Sequence, residues 1–178
     1  MTSDRFEIDP DGREIATLSP EQEAAFQPLL RVAQTIGLPL ILGPLLMLLI
    51  SFVLGGMPKA LPDTLPFLFV AGGMAVFEFM ALPFILSSLR SQAPPPPAES
   101  DPSASSFREW FGGWQTRFIV RSALFEGVAL LSAIFNLIDP AAPFIVIALA
   151  MLAAIAVRFP TRRQVLNDLQ DDRDRLAI

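Results

Sequence analysis

The 178-residue chain contains no histidine, no cysteine and no tyrosine. Without cysteine there is no disulfide framework and no iron–sulfur cluster. Without either His or Cys, the usual zinc sites, His-ligated haem and every Ser-His or Cys-His dyad are excluded. No G-x-G-x-x-G or G-x-x-x-x-G-K-[ST] occurs, so the common nucleotide cradles lack their signature. Charge is also scarce: 17% of residues are charged, against about 25% in soluble domains. Net charge is −5, and no basic cluster reaches the density that nucleic-acid binding needs. These absences leave no catalytic, cofactor-binding or metal-binding residue to name. The expectation is a protein that is not an enzyme, carries no cofactor and binds no nucleic acid.

What fills the chain instead is apolar. Hydrophobic residues make up 52%, and mean hydropathy is +0.50. Four apolar runs stand out, at about residues 36–54, 65–89, 118–138 and 141–157. A helix needs about 20 residues to cross a hydrocarbon core of roughly 30 Å. The fourth run is short, but Arg158 can snorkel outward and extend its reach. The expected fold is an all-α integral membrane protein with four transmembrane helices plus short interfacial or amphipathic helices. About 30 mostly polar residues precede the first run, which therefore does not read as a signal peptide. Pro39 and Pro44 within that run predict a bent helix.

The cations then set an orientation. Of thirteen Lys and Arg residues, twelve are Arg. With four spans, all twelve fall on one side or at its boundary, and only Lys59 falls on the other. The positive-inside rule places both termini and the long middle loop in the cytoplasm. The localisation expected is the inner (plasma) membrane of a bacterium.

The polar segments divide the rest. Residues 1–19 read as an acidic disordered N-terminus. Residues 20–90 hold a short helix and a transmembrane hairpin. Ser19 and Gln22 form a capping box, and Pro20 suits the first helical position. Residues 91–106 form a cytoplasmic linker around four consecutive prolines, read as an extended spacer. Residues 107–159 hold an interfacial helix and a second transmembrane hairpin. Phe107, Trp110, Phe111 and Trp114 recur at helical spacing, and Trp favours the headgroup level. Residues 160–178 form a cytoplasmic tail, with Thr161 and Gln164 as a second capping box. Val165, Leu166, Leu169 and Leu176 give it an apolar stripe, expected to lie along the membrane or on a partner.

Three charges fall at membrane depth: Glu78, Arg121 and Glu126. Such charges are costly and mark functional candidates. Counted from the cytoplasmic ends of their helices, both glutamates lie on the order of 12–16 Å inside. Two carboxylates at one depth can share a proton, hold a cation or pair with Arg121. Gly72, Gly73 and Gly127 are expected to allow close helix approach around them.

The segment R-S-A-L-F-E-G-V-A-L-L-S-A, at Arg121–Ala133, resembles the carboxylate-bearing second helix of ATP synthase rotor subunit c. That resemblance implies that Glu126 matches the proton-binding carboxylate. The chain as a whole is similar to small four-span bacterial membrane proteins that pair an A-L-x-E-G-x-A-L helix with a P-T-R tail. This family implies a location and no particular activity. Two functions are therefore expected in parallel. One is a non-enzymatic scaffold or accessory subunit of a membrane assembly. The other is a component of an ion- or proton-coupled carrier or channel using Glu78 and Glu126. The expected partners are the lipid bilayer and a homo-oligomer or larger membrane complex.

Overall fold

The computed structural model describes residues 7–8, 14–15, 18–98, 101 and 103–176. Among the described residues the architecture is all-α, with five helices: α1 (Pro20–Gly55), α2 (Leu65–Gln92), α3 (Ala104–Ile138), α4 (Ala142–Val157) and α5 (Arg162–Leu176). Two-residue strands β1 (Glu7–Ile8) and β2 (Glu14–Ile15) pair antiparallel, with Glu7 opposite Ile15 and Ile8 opposite Glu14. Most of the segment expected to be disordered otherwise lies outside the described residues.

Helices α1, α2 and α3 are long and apolar enough to cross a membrane. Among the described residues, a fourth is reached only when α4 and α5, separated by the break at Arg158–Thr161, are counted together. At about 1.5 Å per residue, the 36 residues of α1 and the 35 of α3 each extend beyond about 50 Å. The short helix expected after Ser19 and the interfacial helix expected from Phe107 are not separate elements. They are the first turns of α1 and α3. Pro28, Pro39 and Pro44 sit inside α1 without ending it, and Gly112 and Gly113 do not break α3. An apolar setting offers the backbone no alternative hydrogen-bond partner, which favours continuity. Gly56, at φ +83°, turns the chain out of α1, a conformation that glycine adopts without a Cβ penalty.

The chain folds as two compact units. The first takes in residues up to Gln34, Gln92–Thr116 and residues from Pro160 onward. Helices α1 and α5 start at the capping boxes that the sequence marks. Ser19 Oγ accepts from Gln22 N (3.2 Å) while Gln22 Oε1 accepts from Ser19 N (3.1 Å), a reciprocal capping box. At α5, Thr161 Oγ1 accepts from Gln164 N (3.2 Å). The Gln164 side chain turns forward instead, donating to Asp168 Oδ1 (3.2 Å).

The core of this unit is aromatic. Phe26 of α1 packs edge-on against Phe107 and Phe111 of α3, with ring centroids 6.0 and 6.3 Å apart. Trp110 and Trp114 are buried with them. The Trp110 indole donates to Asp172 (3.1 Å), and that of Trp114 donates to Asp168 (2.7 Å). Val165, Leu166 and Leu169 of α5 are also buried. The aromatic stripe was expected at the headgroup level and the tail stripe on a membrane or a partner. The aromatic stripe and Val165, Leu166 and Leu169 are instead buried within this unit, because each provides the apolar face that the other lacks; the Leu176 side chain lies outside what is described.

The proline-rich linker is likewise attached. Pro97 is buried, and its carbonyl accepts from Arg173 Nε (2.9 Å). The Asp101 carbonyl accepts from the buried Gln22 amide (2.9 Å). The expected spacer is thus a strap fixed to α1 and α5.

The second unit holds Thr35–Ser91 and Arg117–Phe159. Its interior is a stack of small apolar clusters. Ala75, Phe125, Val128, Ala129, Met151, Leu152 and Ile155 form the largest. Leu48, Ala133 and Ala148 form a second, and Ala71, Ala141 and Phe144 a third. Outward faces remain apolar: Phe69, Phe77, Met80 and Phe84 of α2 are each about 70% exposed or more (75%, 69%, 68% and 77%). In water so large an apolar surface is a liability, whereas lipid matches it.

Candidate functional site

The three charges expected at membrane depth all lie in the second unit. On α2, the buried residues are Ala71, Ala75 and Glu78, spaced four and three apart, so that they share one face. Leu82, four residues beyond Glu78, packs against the same cluster as Ala75. Glu78 is therefore the polar member of a small-residue face turned toward the bundle. It is 6% exposed, and its Oε2 reaches no hydrogen-bond partner among the described residues. An uncompensated charge is costly in such surroundings.

Glu126 lies in the same layer of the bundle. Phe79 packs against Phe125 at 5.6 Å between ring centroids, and Ala75 clusters with Val128 and Ala129. These contacts set residue 78 level with residue 126. The two carboxyls have different neighbours, however. Glu126 is half-buried, and its Oε1 lies 3.5 Å from where a Cβ on Gly43 of α1 would stand. Arg121, more than a turn earlier on α3, is half-buried and engaged in an interaction.

The glycines expected to permit close approach around these groups do not serve that purpose. A Cβ on Gly72, Gly73 or Gly127 would meet nothing within 4 Å. Within this unit the tight positions are on α1. A Cβ on Gly37 would stand 3.0 Å from the Phe118 ring and 3.3 Å from that of Phe159, and one on Gly55 would stand 3.2 Å from both the Asn136 carbonyl oxygen and Pro140 Cγ. Helix α1, and not α2, uses absent side chains to approach its neighbours.

One polar group escaped the sequence reading. Asn136, 2% exposed, donates to Ser51 Oγ (2.9 Å) and accepts from Ala141 N (3.1 Å). The Ser51 hydroxyl in turn donates to the Leu48 carbonyl (2.7 Å). Beside this chain, Asp139 Oδ2 accepts from Thr64 N (2.7 Å). Lys59 N donates to the Pro140 carbonyl (2.9 Å), and Ala142 N donates to the Lys59 carbonyl (2.8 Å). The two short connections of the unit are thus joined in a parallel bridge, Lys59 opposite Ala141. Lys59 also pairs with Asp63, and that hydrogen bond raises its ammonium above the usual range. Asparagine within an apolar run was the available sequence signal, since such a residue needs a partner.

Chemically, the glutamate layer offers two carboxyl groups in an apolar bundle. Among the described residues, no group of three or more His, Cys, Asp or Glu side chains is arranged to hold a metal ion. Comparison of the chain with protein-family models, with curated proteins and with solved structures finds no match.

Proposed function

We propose that the chain is a four-span protein of the inner membrane, with both termini cytoplasmic, acting as a non-enzymatic scaffold or accessory subunit of a membrane assembly. In this reading α1, α2, α3 and α4 each cross the bilayer. The 16 residues of α4 reach only about 24 Å, and Arg158 at its end extends that reach by snorkelling. The exposed aromatic and aliphatic faces of α2 support insertion, and the one-sided distribution of arginine supports the orientation.

The observation that carries the scaffold reading is the construction of the first unit. Three segments far apart in sequence are knit into one aromatic core by two indole–carboxylate bonds and a pinned linker. Such an assembly presents a polar, ordered surface and suits docking better than turnover. Reporter fusions at Lys59 and after residue 178 test the orientation, and an active periplasmic reporter at the latter position overturns it. Native mass measurement in detergent tests the assembly. A strict monomer that retains no partner when purified from its own membrane counts against the scaffold.

A second reading is a component of a proton- or ion-coupled carrier. It is favoured by the buried Glu78 carboxyl, whose Oε2 has no hydrogen-bond partner among the described residues. Reconstituted liposomes with pH and cation gradients test it, using Glu78→Gln and Glu126→Gln. Flux that is absent, or equal in all three proteins, removes this reading.

A further inference from the structure

We propose that Glu78 is a proton-binding site whose occupancy governs the docking of α2. Helix α2 meets its bundle through a narrow face, with Ala71, Ala75 and Glu78 as its buried residues. Two of these are alanines, with little surface to contribute. Phe67, Leu68 and Leu82 add partly buried apolar contacts at its margins, so Glu78 is the one residue of the docked face that can change charge. Neutral, it fits beside Ala75, Leu82 and the cluster formed by Phe125, Met151, Leu152 and Ile155. Ionised, the same face presents a charge to hydrocarbon, and separation of α2 or entry of water relieves it.

The ligand follows from what surrounds the carboxyl. Its Oε2 has no hydrogen-bond partner among the described residues. A calcium ion takes six to eight oxygen ligands, and a magnesium ion takes six. The neighbouring cluster instead consists of alkyl and aryl groups. Among the described residues, no acidic group of three is gathered anywhere. A proton requires only the one oxygen.

The charged groups on the packed elements are few. Within the second unit α1 carries none, and α4 carries none between Ala142 and Val157. On α2 the other charge is Arg90, three turns away. Between Arg117 and Ile138, α3 brings Arg117, Arg121 and Glu126, of which Glu126 Oε1 lies against Gly43 of α1. The titration of Glu78 is thus expected to couple to Glu126, its neighbour in the layer, and to Arg121.

The inference uses the same carboxyl as the carrier reading but requires no transport, so a failed flux assay and a failed result here are distinguishable. The experiment is backbone hydrogen exchange of residues 65–92 in lipid nanodiscs. It runs between about pH 4 and about pH 9, spanning the ordinary glutamate value of about 4.3 and the values of about 8–9 that buried glutamates reach. After correction for intrinsic exchange, opening of α2 in the wild type is expected to rise about tenfold or more with pH. Glu78→Gln, fixed neutral and nearly isosteric, is expected to keep exchange slow throughout. Equal pH profiles in the two proteins overturn the proposal.

Wild-type protein alone supplies a second measurement, independent of how the variant folds. Dicyclohexylcarbodiimide adds to the protonated acid, and peptide mass mapping locates the adduct. Labelling at Glu78 that declines as pH rises and is indifferent to sodium supports the site. No labelling at any pH, or protection by sodium, overturns it.

Discussion

The indole of Trp114 on α3 donates a 2.7 Å hydrogen bond to Asp168 on α5, and the same carboxylate accepts from Gln164. One turn away, Trp110 makes the equivalent bond to Asp172, which is 7% exposed. Paired bonds of this kind fix both the rotation and the axial register of α5 on α3. Replacing Asp172 with Ala leaves the buried Trp110 N–H without its acceptor, at a cost of about 1–3 kcal/mol. Asp172→Asn keeps a carbonyl oxygen and is expected to lose less. Thermal melts in detergent read both, and a wild-type melting temperature for Asp172→Ala contradicts the assignment.

Asn136 is the second point of leverage. Asn136→Ala strands the buried Ala141 N–H and removes a bond across helices to Ser51. Bonds between membrane helices contribute about 0.6–2 kcal/mol, and an orphaned buried donor adds about 1–3 kcal/mol. The variant is expected to lower stability by about 2–4 kcal/mol on these scales. Ser51→Ala removes only one side of the chain and is expected to cost clearly less. Equal losses in the two single variants contradict a role for Asn136 in holding the Ala141 amide.

The glycines divide into two classes with opposite signs. Gly55→Ala forces a Cβ to 3.2 Å from a backbone carbonyl oxygen, which has little freedom to move, and is expected to cost about 1–3 kcal/mol. Gly72→Ala meets nothing within 4 Å and is expected to gain up to about 1 kcal/mol from helix propensity. Unfolding titrations of the two variants check the contrast. A destabilised Gly72→Ala reveals a contact made in the membrane by a second chain.

Asp101 supplies a pH dependence outside the long apolar runs. The Ser103 amide and the Ser106 and Ser103 hydroxyls hold its carboxyl below the usual carboxylate range. A depressed folded pKa means that its contribution is present above the ordinary Asp value, about 3.9, and is lost as pH falls through the folded value. Acidification below about pH 4 is expected to loosen the start of α3, read as faster exchange in residues 103–107. Asp101→Asn is expected to abolish that acid dependence while leaving the rest of the profile intact.

What the sequence made legible was local. Ser19 with Gln22, and Thr161 ahead of Gln164, mark helix starts because a cap depends on residues three positions apart. The apolar runs mark α1 to α4 because composition alone distinguishes them. The partner of a stripe was not legible. The aromatics at 107–114 and the leucines of α5 carry the right period, yet period does not distinguish lipid from a facing helix. Gln22 meets Asp101 from 79 residues away, and Asn136 meets Ser51 from 85, so neither pairing has a local signature. Glu78 was identifiable by residue type, but α2 is apolar on all sides, and periodicity gives no hint of which face is buried.

The bridge between the two short connections also has a consequence in time. Thr64 and Asp139 are 75 residues apart, and Lys59 awaits Pro140 and Ala142 across a similar stretch. At about 5–20 residues per second of synthesis, the Thr64 amide waits roughly 4–15 s for Asp139 to be made. During that interval the Lys59 and Thr64 amides lack the acceptors they hold in the finished fold. The first half of the protein is thus a nascent species whose open edge is closed by the second half, and any insertase or quality-control factor that recognises unfinished helical hairpins has seconds in which to engage it.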